Sequence, residues 1–171
     1  MALSMIFDPR LRFAIRTAAL VLAALCAGLV TSPHAWARYT YVRAATIPES
    51  ALIQPAALVA ILQRPADRTP LMLQVGAHVL YVQAHIPGSE YVGLGEEDAG
   101  IEALRARVAK LPRQTPIVIY CGCCPWDHCR NIGGAFATLR RLGFTDVKVL
   151  FLESDFGSNW VDQGYPVARG E

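Results

Sequence analysis

Ile117-Val118-Ile119-Tyr120-Cys121-Gly122-Cys123-Cys124-Pro125-Trp126-Asp127-His128-Cys129-Arg130 runs from an unbroken apolar segment into a loop with four cysteines inside nine residues. A short apolar run rich in β-branched residues, with no polar alternation, is the pattern of a strand buried on both faces. Beyond the loop, residues 132–142 repeat apolar positions at helical spacing, carry Arg140 and Arg141 in the last turn and stop at Gly143. Val147-Lys148-Val149-Leu150-Phe151-Leu152 then supplies another strand. Strand, helix and strand in this order make a βαβ unit, so the sheet is expected to be parallel with right-handed crossovers. Ligands of such sheets collect beyond the carboxyl ends of the strands, which is where Cys121 stands.

The flanking sequence extends the alternation. Leu71-Met72-Leu73-Gln74-Val75, between Pro70 and Gly76, reads as a second buried strand. Residues 101–111 place apolar side chains every three or four positions and Pro112 closes them, which predicts a helix. A first helix is expected over residues 48–62, ended by Pro65. Pro87-Gly88 marks a turn after a short extended or helical piece, and Glu96-Glu97-Asp98 reads as a solvated turn and helix start.

The amino terminus predicts export. Arg10, Arg12 and Arg16 precede an apolar stretch over residues 18–30 that Gly28 interrupts and that is short for a bilayer span. Ala35 and Ala37 form a small-x-small cleavage pattern, so residues 1–37 are read as a signal peptide, residues 38–46 as an extension and residues 47–171 as one domain. A retained anchor fits the short apolar run less well, and Leu25 argues against lipid modification at Cys26. The expected location is the bacterial periplasm. Cleavage removes Cys26, three arginines and one aspartate from 16 basic and 14 acidic residues, leaving 13 of each. A neutral chain with no basic patch gives no reason to expect nucleic acid, nor a membrane surface once the signal is gone.

Taken together, Leu73-Gln74-Val75-Gly76, His85-Ile86-Pro87-Gly88-Ser89, the strand ending in Cys121, Val147-Lys148-Val149-Leu150 and Asn159-Trp160-Val161 with Gly164-Tyr165-Pro166-Val167 resemble a single rhodanese domain. The resemblance covers roughly residues 47–168. It implies an α/β, three-layer domain with a central, mostly parallel five-stranded sheet flanked by helices. It also implies a sulfurtransferase that carries sulfane sulfur as a persulfide on Cys121 and passes it from a small donor to a thiol or other thiophilic acceptor, with no cofactor. A thiolate is the nucleophile in such chemistry and an ordinary thiol has a pKa of about 8.5, so a helix N-terminus or a cation must favour the anion. Gly122, Cys123, Cys124, Trp126, His128 and Arg130 are the expected substrate-binding residues, with Arg130 and loop amides holding an anionic donor. This chain departs from the family in three places. Arg130 lies nine residues after Cys121, farther than usual; Pro125 lacks an N–H; and Gln74-Val75-Gly76 replaces Asp-Val-Arg.

Other readings of the loop stay open. Cys124 and Arg130 have the spacing of a cysteine-phosphatase loop, which makes Cys124 an alternative nucleophile. Cys121 and Cys124 form a Cys-x-x-Cys pair, a candidate redox switch, structural disulfide or contact for a redox protein. Cys121, Cys123, Cys124, Cys129 and His128 offer soft donors for Cu(I) or Zn(II). Structural zinc sites draw on two separated ligand pairs, so no metal is expected. His85 and Trp160 are read as structural, and His78 has no partner visible in the sequence.

Overall fold

The computed structural model describes residues 44–64 and 69–171; the signal-peptide reading and Pro65 lie outside them. Five strands, β1 (Leu52–Ile53), β2 (Leu71–Gln74), β3 (Glu90–Tyr91), β4 (Ile117–Tyr120) and β5 (Val147–Leu150), form one sheet in the order β1-β5-β4-β2-β3. All four pairings are parallel, with Leu73 of β2 opposite Ile119 of β4 and Ile119 opposite Val149 of β5. The longer helices are α1 (Pro55–Leu62), α2 (His78–Gln83), α3 (Asp98–Val108) and α4 (Arg130–Arg141).

The helix expected over residues 48–62 begins later. Glu49–Ala51 forms a 3₁₀ turn and Leu52–Ile53 pairs with β5 at the sheet edge, so α1 starts only at Pro55. Proline is well suited to a first helical position because its missing N–H has no intrahelical partner there. The β5 ladder thus overrides helical propensity in the preceding residues.

Alternation along β4 sorts two cores. Ile117, Ile119 and Cys121 face one cluster with Leu104 and Val108 of α3 and Ile132, Ala135 and Leu139 of α4. Val118 and Tyr120 face the other, with Leu58 of α1, Met72, Ile86, Leu150 and Trp160. Trp160 is fully buried in a helical turn over Gly157–Val161, and its indole N–H donates to Pro166 O at 2.8 Å. The carboxyl-terminal strand-like tail bridges back to His85 through Ala168. His85 itself is buried, with Nδ1 2.8 Å from Tyr81 O, while His78 packs against Tyr91 and approaches Glu171 at 3.4 Å.

Tyr120 explains the His85-Ile86-Pro87-Gly88-Ser89 turn. Its hydroxyl accepts the Ile86 N–H at 3.2 Å and lies 2.7 Å from Ser89 Oγ, while Tyr81 Oη donates to Ser89 O at 2.6 Å. The turn is thereby fastened to the carboxyl end of the central strand, one residue before Cys121.

Candidate functional site

Cys121 leaves the ladder at the end of β4 and is buried among the α3 and α4 side chains. Three features seat it. Val75 N–H donates to Tyr120 O at 2.9 Å, extending the ladder one step past the strands. The Gln74 side chain then bridges the same gap: Nε2 donates to Cys121 O at 3.3 Å and Oε1 accepts the Gly76 N–H at 3.1 Å. Gly76 leaves room for the sulfur, since a Cβ there would stand 2.8 Å from Cys121 Sγ and 2.9 Å from Gln74 Nε2. Neither Gln74 nor Gly76 stood among the expected site residues. A polar residue buried near a strand end was the signal available for Gln74.

Gly122 turns the chain with φ +75°, a conformation that side-chain-bearing residues rarely adopt, and its O accepts the Phe156 N–H at 3.1 Å. Cys123 is then exposed, Cys124 half-buried and Cys129 buried, and all four thiols are free. Cys121 Sγ and Cys123 Sγ are 3.1 Å apart, and Cys123 Sγ and Cys124 Sγ 3.3 Å. The sulfurs of Cys121, Cys123 and Cys129 all lie within 4.8 Å of one another. The Cys-x-x-Cys pairing of Cys121 with Cys124 is therefore not the closest one, because Cys123 comes nearer to both.

Asn131, the second residue of α4, ties the group together. Its Nδ2 reaches Cys121 Sγ at 3.5 Å and Cys123 Sγ at 3.8 Å, while its Oδ1 accepts the Glu96 N–H at 3.2 Å. Asn131 does not stand among the expected site residues. Its burial, rare for an asparagine, is what the sequence did not reveal.

The sulfurs share protons unequally. The Cys121 S–H donating to Cys123, helped by the Cys129 thiol, pulls the Cys123 pKa down to about 2. The same bond, with burial, pushes Cys121 up to about 12. Cys129 is raised chiefly by the bonds it donates to Cys121 and Cys123, and Cys124 is raised chiefly by burial. The arrangement favours one thiolate, centred on exposed Cys123 and solvated by neighbouring thiols and the Asn131 amide.

The rest of the loop is occupied structurally. The Trp126 N–H donates to Glu153 O, and the His128 and Cys129 N–H groups close the 3₁₀ turn over Trp126–His128. Trp126 packs against Phe151 with ring centroids 5.1 Å apart. His128 is exposed and pairs with Asp127 at 2.7 Å, outside the close sulfur group. Arg130 Nε lies 2.9 Å from Glu96 Oε2, with most of its side chain in solvent. A cleft of about 380 Å³ opens over the cysteines, lined by Leu80, Gln83, Cys121, Gly122, Cys123 and Phe156 among others. Asp155 also lines it, and among the described residues no lysine or arginine does.

The sequence model of the rhodanese-like domain matches residues 39–152. No curated protein matches the chain. Among solved structures, a protein from Bacillus halodurans superposes with a TM-score of 0.54 at 20% identity, covering 70% of this chain and 77% of that one. The rhodanese-like domain of an Anabaena protein gives 0.51 at 21% identity, covering 70% and 79%. A thiosulfate sulfurtransferase from Pseudomonas aeruginosa gives 0.51 at 25% identity, covering 72% of this chain but only 20% of that longer one. With a parallel five-stranded sheet, a cysteine at the end of its central strand and a family match over most of its length, the chain belongs to the rhodanese-like domain family.

Proposed function

We propose that this domain is a sulfurtransferase in which Cys121 carries sulfane sulfur as a persulfide. The observation that carries the reading is the seat of Cys121: beyond the central strand, under the cleft, with a thiolate-favouring sulfur 3.1 Å away. The Cys121 thiol attacks the outer sulfur of the donor and gives its proton to the departing sulfur. The S–S bond of the donor breaks, its remaining portion leaves with the electron pair, and Cys121–S–S⁻ forms. An acceptor thiolate then attacks that terminal sulfur and returns Cys121 to the pool of shared protons.

The cleft suits a particular class of donor. Among the described residues it offers a carboxylate at Asp155 and no cation, and Arg130 is engaged by Glu96. A thiosulfate dianion finds no counter-charge there, whereas an organic persulfide brings little charge and an apolar body to Leu80 and Phe156. Exposed Cys123 supports a second reading, in which the sulfur is first received there.

The test is mass spectrometry of the reduced, metal-free protein after exposure to a low-molecular-weight persulfide. One added sulfur of about 32 Da is expected per chain, mapped to Cys121 and absent from Cys121→Ser. An adduct that maps to Cys123 and survives Cys121→Ser selects the second reading; no adduct on any cysteine rejects both. Export is part of the same proposal, and the exported protein is expected to begin at Arg38 on amino-terminal sequencing.

A further inference from the structure

Three of the four loop cysteines converge in a way that sulfur transfer through one cysteine does not require. Cys121, Cys123 and Cys129 come from a strand end, a tight turn and the cap of α4, yet their sulfurs lie within 4.8 Å of one another. Three thiolates bound at about 2.3 Å around one ion stand about 4 Å apart. Small side-chain rotations suffice to reach that spacing from the one seen here.

The surroundings are those of a thiolate site. Asn131 Nδ2 points at two of the sulfurs. The Cys123 backbone N–H bonds to Cys121, and the Ile132 N–H in the first turn of α4 bonds to Cys129. Donors of this kind orient sulfur ligands and offset the excess negative charge that several thiolates place around one ion. No carboxylate or imidazole belongs to the close group, so the donor set is purely soft. Soft thiolate donors select Cu(I), zinc or iron–sulfur clusters. Zinc in a structural site takes four ligands, and the fourth thiol, Cys124, falls outside the close group.

We propose that Cys121, Cys123 and Cys129 form a three-sulfur binding site for a single Cu(I) ion, with Asn131 as the residue that orients two of the ligands. The site shares Cys121 with the sulfur-carrier reading but does not depend on it, because ion binding and persulfide formation are read separately.

The test titrates the fully reduced chain anaerobically with Cu(I) held by bicinchoninate and follows transfer by the colour of the probe. The expected result is one Cu(I) per chain, with a three-sulfur shell in X-ray absorption. Exposed Cys123→Ser, which removes little packing, should weaken binding by more than about a hundredfold, beyond the range typical of a lost outer-shell partner. Asn131→Ala should weaken it about tenfold or more within that range, while Cys124→Ser should leave it within about threefold, since Cys124 supplies no ligand. Circular dichroism of each reduced variant checks that the fold persists. Retention of full affinity by Cys123→Ser, a Cys124→Ser loss equal to it, or a four-sulfur shell would each overturn the proposal.

Discussion

Tyr120 and Cys121 are neighbours in the chain and point to opposite faces of one sheet, and their surroundings differ in kind. On the Tyr120 face the central polar groups have fixed partners: the phenol holds the Ile86–Ser89 turn, and Trp160 closes the core with its N–H on a carbonyl. On the Cys121 face four free thiols gather, with Cys123 Sγ 3.1 Å from Cys121 Sγ and 3.3 Å from Cys124 Sγ, and Cys129 Sγ within 4.8 Å of the first two. The central strand therefore divides labour by its two-residue period. One face supplies rigidity, and the other holds groups left unsatisfied enough to react.

The sharpest way to break this division is to damage the first face and watch the second. Trp160→Ala empties a fully buried site and should cost about 3–5 kcal/mol in urea unfolding. Sulfur loading, measured in buffer where that variant is still folded, should remain near one per chain. Loss of loading in folded protein would show that the faces are coupled.

A second test addresses acidity on the reactive face. With Cys123 held down to about 2, it stays a thiolate at pH 5.5. Its alkylation by iodoacetamide should then fall less than about threefold between pH 8 and pH 5.5, where an unperturbed thiol of pKa about 8.5 loses more than a hundredfold. Peptide mapping identifies the labelled cysteine.

The opposite sign is expected across the sheet. Burial pushes the Tyr120 phenol from 10.0 up to about 12, so the unfolded chain ionises it first. Its contribution is fully present below pH 10 and is lost as the pH rises to 12, amounting to about 3 kcal/mol. Tyr120→Phe should flatten that part of the alkaline unfolding curve relative to the parent, at a neutral-pH cost of about 1–2 kcal/mol for the orphaned Ile86 N–H.

A modest effect on stability, with a disproportionate effect on chemistry, is expected from Gly76→Ala. The new methyl would meet Cys121 Sγ at 2.8 Å, and crowding of this kind costs about 1–3 kcal/mol. Because the sulfur itself must move, the initial rate of persulfide loading should drop about tenfold or more, as one misplaced reacting atom can cost a hundredfold.

The parts of this division that could be read in advance are those written in continuous apolar runs. Strands β2, β4 and β5 are four residues each and stood out, as did α3 and α4. The edge strands β1 and β3 are two residues long, too short for any period to show, and pair only because a longer neighbour offers a ladder. At the site, Cys121 followed from its place after a strand. The convergence of Cys129 with Cys121, and the amide of Asn131 between them, depend on how α4 packs back on the sheet, which no local pattern encodes. The anion-holding role expected of Arg130 met a competitor from a distant segment, Glu96.

Gln74 carries a consequence of its own. Its primary amide imitates a peptide unit, accepting from Gly76 and donating to Cys121 as though the sheet had one more rung. A carboxylate or guanidinium in that position would gain or lose grip on the loop with acidity and salt, whereas an amide is indifferent to both. The foundation of the cysteine loop is thus buffered against its medium, and the seat of Cys121 keeps its grip as acidity and salt change.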